Sequence, residues 1–247
     1  MQPDLSWLTA RPIAHRGLHD KSHGLIENTA GAFAAAIAGN YAIECDLQIT
    51  RDGEAVVFHD DVLDRLTDAT GKVCEQTAAE MQQLTIRGSS DHVQTLQELL
   101  QQVDGKVPLV IEIKSLWDRS DALTRRTLDV ISSYTGPYAL MSFDPDVVAA
   151  VRQLSPATPR GIVAERATDS YYNMLSPARR LELRTLSHLP RTQPHFISFY
   201  FRELPWAPIE AYRAAGFPVI SWTIRSPGEG KDAMRHTDQV TFENFAA

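Results

Sequence analysis

Between residues 43 and 61 the chain reads IECDLQITRDGEAVVFHDD, which sets Glu44 and Asp46 two apart and brings in His59 and Asp60 shortly after. Side chains two apart on an extended chain share a face, so the two acids point one way and Cys45 the other. Paired carboxylates on the inner face of a buried strand repel and lose hydration, which a cation between them relieves. The spacing recurs in LVIEIK, where Glu112 and Lys114 share a face of an otherwise apolar run. Three carboxylates, with no Cys or His spaced as a zinc site, favour one hard divalent cation held through oxygen, Mg²⁺ or Ca²⁺. Arg16 and Lys114 add a fork and a point charge that suit phosphoryl oxygens. Imidazole titrates near neutrality, which suits His15 and His59 to general acid and base work. Taken singly, these residues have plainer roles as solvated acids, ion-pair partners or strand-end histidines. The other six histidines, His19, His23, His92, His188, His195 and His236, have no such company and read as surface or structural residues.

Eight apolar runs must position these groups: residues 12–14, 43–47, 108–113, 138–143, 160–164, 195–200, 219–223 and 239–242. Helical patterns separate them. Ala30, Phe33, Ala34 and Ile37 recur at helical spacing, as do Leu96, Leu99, Leu100 and Val103. Asn28 or Thr29 can cap the first of these helices. Thr77 with Glu80 and Thr95 with Glu98 read as capping boxes, and Asp144-Pro145 and Ser226-Pro227 as caps followed by a first-turn proline. One helical stretch is expected from Ser176-Pro177 to about Leu189. Strand–helix alternation of this length predicts an α/β chain, a single (β/α)8 barrel domain over 1–247 with parallel strands closed into a cylinder. An extra strand at 55–58 and a small insertion at 61–93 follow the second strand. The C-terminal strand ends of such a barrel carry the chemistry. Here they bear His15-Arg16, Glu44, Asp46, His59-Asp60, Glu112, Lys114, Ser142 and Trp222.

Composition narrows the partners. The net charge is −7 and no run of Lys or Arg tracks a phosphate backbone, which argues against nucleic acid. Two cysteines, Cys45 and Cys74, make no disulfide framework. The opening MQPDLSWLTARPIAHRG lacks a basic segment followed by an apolar one, and no run approaches a membrane span, so a cytoplasmic chain without stable membrane insertion is expected. The partner this leaves is a small molecule; oligomeric state leaves no signal.

The ordered set HRG at 15–17, EN at 27–28, ExD at 44–46, HD at 59–60, TLQELL at 95–100, ExK at 112–114, SF at 142–143 and SWT at 221–223 resembles the glycerophosphodiester phosphodiesterase family over essentially the whole chain. The resemblance implies a TIM-barrel hydrolase that releases sn-glycerol 3-phosphate and an alcohol. It gives Glu44, Asp46 and Glu112 as metal ligands and His15 and His59 as the acid/base pair. Arg16 and Lys114 become phosphate contacts, with Glu27 in support; Asp60 is expected to support His59 beside it, and Trp222 to wall the glycerol arm while the leaving alcohol projects to solvent. The alternatives are a related barrel acting on lysophospholipid headgroups, or an inactive phosphate-binding barrel. One departure stands out. The family often ends its last strand in Thr-Asp-x-Pro, whereas this chain has Thr241-Phe242-Glu243-Asn244. That rim carries neither metal ligands nor histidines in this reading, so the change bears on substrate range rather than catalysis.

Overall fold

The computed structural model describes residues 3–247; Met1 and Gln2, which open the leader reading and the 1–247 domain, lie outside them. The strands are β1 (Ile13–Ala14), β2 (Ala42–Ile49), β3 (Ala55–Val57), β4 (Leu109–Ile113), β5 (Tyr138–Ser142), β6 (Arg160–Ala164), β7 (Phe196–Tyr200), β8 (Val219–Ile224) and β9 (Gln239–Phe242). All but β3 run parallel. They follow the order β1-β9-β8-β7-β6-β5-β4-β2, and pairing of Ile13 with Ala42 closes the barrel. β3 pairs antiparallel with β2 outside the ring.

The helices are α1 (Ser6–Thr9), α2 (Ala30–Ala38), α3 (Ala78–Gln82), α4 (Leu96–Val103), α5 (Ala122–Ile131), α6 (Pro145–Leu154), α7 (Pro177–Thr185), α8 (Leu189–Thr192), α9 (Ala207–Ala214) and α10 (Pro227–Ala233). Both capping boxes form: Thr77 and Thr95 accept from the backbone of Glu80 and Glu98, whose carboxylates return the bond. Asp144 caps α6 ahead of Pro145, and Ser226 caps α10 ahead of Pro227. The stretch after Ser176 is two helices, not one, because Leu186 adopts a left-handed conformation that ends α7. Among the described residues no helix is long and apolar enough to cross a membrane.

Strand alternation sorts the core into two layers. Ile43, Cys45, Leu47, Ile111 and Ile113 face outward and pack with Phe33, Leu96 and Leu99 of the surrounding helices. Ile13, Ala42, Val110, Ala139, Val163, Phe196 and Ile220 face inward, and Leu5 and Leu8 at α1 close that end. Phe196 sits beside Gly161 in register, and a Cβ on Gly161 would lie 2.3 Å from its ring. Only glycine lets that ring fill the barrel. The insertion after β3 buries Leu63, Val73, Met81 and Ile86 against Val56 and Phe58, a satellite core of its own.

Candidate active site

One turn of strand above the apolar layer, the inward positions become ionisable. Asp46 and Glu112 are register partners on β2 and β4, and Glu44 sits one inward position below Asp46. One oxygen from each of the three lies within 4.8 Å of the others, and all three are buried. Lys114, one residue past β4 at the next inward position, places Nζ 2.7 Å from Asp46 Oδ1 and 2.6 Å from Glu112 Oε1. Arg16 follows β1 with a positive φ, a departure that Gly17, also at positive φ and 2.9 Å from the Ala32 backbone at its would-be Cβ, allows. There its backbone N–H donates to Glu44 Oε2 at 2.9 Å and its Nε lies 3.3 Å from Asp46 Oδ2. The side chain of Asn28 donates to Asp46 Oδ2 at 2.9 Å, so it serves the acids while Thr29 takes the cap position of α2.

Burial works against ionisation of Asp46, but Lys114, His59 and Arg16 overcome it and hold its carboxyl well below the usual range. Glu44 goes the other way: burial and the charges of Asp46 and Glu112 push it well up. Burial also raises Glu112, against the pull of Lys114. With all three ionised, the acids outnumber the two cations by one, and a divalent ion reverses that net charge. This donor set of buried oxygens fits a hard cation.

Each candidate histidine is held by a carboxylate at Nδ1, which leaves Nε2 as its free nitrogen. His59 pairs with Asp60 Oδ1 at 2.6 Å, and His15 with Glu243 Oε2 at 2.5 Å. Burial is the main reason that His15 is lowered to about 4, outweighing the Glu243 hydrogen bond, so it is neutral at pH 7 and donates its Nδ1 proton to the carboxylate. The hydrogen bond from His15, with the nearby His19 and Arg225, holds Glu243 ionised in spite of burial. The C-terminal rim therefore does carry a histidine partner, which corrects the reading of that departure. Glu243 follows Thr241 by two, one residue past β9, the same period that singles out Asp46 and Lys114. His19 also has company after all, with Nε2 3.7 Å from Glu243 Oε2. Arg65, from the insertion, ties the outer rim together by bonding Asp60 at 2.6 Å and Glu27 at 2.7 Å, while Arg16 reaches Glu27 at 2.7 Å. Sequence patterning gave no sign of Arg65.

A cavity of about 430 Å³ opens from Glu112, Lys114 and His59 toward Trp117, Glu165 and Tyr172. Trp222, like His15, Arg16, Glu44 and Asp46, stands outside its lining. Its Nε1 donates to the Ser198 carbonyl at 3.0 Å, and its ring packs against Phe143 and Tyr200 with centroids 5.4 and 5.2 Å away. Ser142 spends its hydroxyl on the Ile113 carbonyl at 2.7 Å. The structure thus gathers His15, Arg16, Glu27, Glu44, Asp46, His59, Asp60, Glu112 and Lys114 at one rim, with Trp222 half-buried near the end of β8.

Residues 15–243 match the family described as glycerophosphoryl diester phosphodiesterase. A glycerophosphodiester phosphodiesterase of Caldanaerobacter subterraneus is 28% identical over 222 residues, spanning 86% of this chain and 84% of that protein. Among solved structures, a phosphodiesterase of Oleispira antarctica in complex with the product sn-glycerol-3-phosphate superposes with a TM-score of 0.77 at 21% identity, covering 94% of this chain and 91% of that one. A putative glycerophosphoryl diester phosphodiesterase of Agrobacterium tumefaciens gives 0.73 at 26% identity, covering 94% and 92%.

Proposed function

The chain belongs to the glycerophosphoryl diester phosphodiesterase family, and from that premise we propose how its barrel mouth divides the work of hydrolysing a glycerophosphodiester to sn-glycerol 3-phosphate and an alcohol. Glu44, Asp46 and Glu112 hold one divalent cation, Mg²⁺ or Ca²⁺. The supporting observation is their mutual approach within 4.8 Å in a buried site with fewer cations than acids. Bound there, the ion supplies electrostatic stabilisation of charge on the phosphoryl oxygens. With it the site turns net positive and matches the single negative charge of a diester.

Lys114 and Arg16 orient the phosphoryl group from opposite sides of Asp46. His15 and His59 carry protons through their free Nε2 atoms, one taking a proton from the nucleophile and the other giving one to the leaving oxygen. The neutral state of His15 at pH 7 suits it to the base role. Glu243 and Asp60 fix the ring orientation and tautomer of the two histidines, as carboxylates do in hydrolytic triads. Glu27 holds Arg16 and Arg65 in place. The glycerol phosphate seen with the Oleispira protein supports a small-molecule substrate of this kind.

The direct test is a panel of glycerophosphodiesters with coupled detection of glycerol 3-phosphate, with and without chelator. Release that stops in chelator and returns with Mg²⁺ or Ca²⁺ is expected. Full activity in chelator contradicts the metal role.

A further inference from the structure

Away from the acids, the cavity changes character. Its outer wall is aromatic, formed by Trp117, Phe143, Tyr171 and Tyr172. Tyr171 and Tyr172 meet edge to face at 5.4 Å; Tyr172 is buried, while Tyr171 is 56% exposed and stands at the lip. Glu165 lies on the same wall, half-buried, as the next inward residue of β6 after Val163. Burial raises its pKa, the nearby Tyr172 opposes this, and the charges acting on it are those of the acids Glu203 and Asp169. Among the described residues, the one Lys or Arg lining the cavity is Lys114, already shared by Asp46 and Glu112.

A half-buried carboxylate among ring faces is costly when nothing positive offsets it. Together, a carboxylate and aromatic faces complement a cation with an apolar shell, as a quaternary ammonium has. An aliphatic chain on this wall would desolvate Glu165 further, and a neutral polyol would leave its charge uncompensated. In a glycerophosphodiester the glycerol arm is uncharged, so only the alcohol arm can bring the cation. We propose that this wall is a subsite for a cationic leaving alcohol of the choline or ethanolamine class, with Glu165, Trp117, Tyr171 and Tyr172 as its specificity-determining residues. The inference rests on the cavity being the hydrolytic site, and it reverses the expectation that the leaving alcohol projects to solvent.

The test compares kcat/KM for glycerophosphocholine with that for its 3,3-dimethylbutyl analogue, which replaces the nitrogen by carbon and removes the charge alone. The expected preference for choline is about tenfold, the scale of a partly desolvated cation–π and carboxylate contact. Glu165→Gln should bring the ratio toward one, chiefly by lowering kcat/KM for glycerophosphocholine. Tyr171→Ala, at an exposed position, should lower it in the same direction. A wild-type ratio near one overturns the subsite, as do variants that slow both substrates equally. Hydrolysis of neither substrate by the metal-loaded wild type defeats the hydrolytic reading itself, and the subsite with it.

Discussion

The two layers of the barrel interior are built from the same strands and differ by a single inward step. On β2 the inward series runs Ala42, Glu44, Asp46, and on β4 it runs Val110, Glu112, Lys114. Below, apolar side chains gain free energy simply by leaving water. Above, equally buried carboxylates lose hydration and recover it only in part from Lys114, Arg16 and Asn28. The lower layer holds the fold, and the upper layer spends some of that stability to keep charge ready for a substrate. Substitutions in the two layers should therefore separate activity from stability.

The largest effect is expected from Asp46→Asn, because Asp46 meets Lys114, Arg16 and Asn28 at once. Loss of metal-assisted stabilisation is worth several kcal/mol, so steady-state assays should show a fall of about 10³-fold or more with the fold intact by circular dichroism. Phe196→Ala is the converse. It should cost about 3–5 kcal/mol in denaturant melts, because the ring fills the barrel beside Gly161. Surviving folded protein should retain most of its turnover. Glu243→Gln keeps the size of the side chain but weakens the anchor of His15. A drop in kcat of about 10–100-fold is expected, the usual scale for a partner that orients a functional histidine. An unchanged kcat would return Glu243 to a purely structural role.

The smallest effect is on stability against pH. Glu44 is raised in the fold, so its ionised form costs stability above its ordinary pKa, and the cost is relieved as pH falls through the raised value. His15 has the opposite sign. Lowered from 6.5 to about 4, it removes stability as pH falls between those values, because the unfolded chain takes up the proton first. In chelator at pH 8, Glu44→Gln should therefore stabilise the protein by about 1–2 kcal/mol. The gain should shrink on acidification and disappear when Ca²⁺ or Mg²⁺ is added. Thermal melts across that range check each sign.

Most of the barrel was legible in the sequence because its inward apolar positions alternate cleanly and its helices announce themselves by caps such as Thr95 with Glu98. Glu44, Asp46, Glu112 and Lys114 stood out as charges continuing an apolar strand. Glu243 and Glu165 obey the same period-two rule on β9 and β6, yet both fall just past the last apolar residue, where a strand pattern fades into a loop. Arg65 and His19 were not legible for a different reason. Their partners, Asp60, Glu27 and Glu243, are brought to them by chain folding and leave no local periodicity. Of the two caps the sequence offers α2, Thr29 holds the position, and the bond from Asn28 to Asp46 across the site leaves no local signal. Trp222 stands on the expected strand, and the bond from its indole N–H to the Ser198 carbonyl, which fixes its ring, leaves no signal in the sequence. At 4 residues α1 is too short for any helical repeat to register, though it closes the barrel floor.

The central claim is that the three buried acids form one cation site on which hydrolysis depends. Calorimetric titration of Mg²⁺ and Ca²⁺ into chelator-treated wild type and Glu112→Gln, with glycerophosphodiester turnover measured on the same samples, tests it most directly. One ion per chain is expected in the wild type. The variant should bind at least about tenfold more weakly, with activity falling in step. Equal affinity in the two proteins, or full turnover by Glu112→Gln at limiting metal, would contradict it.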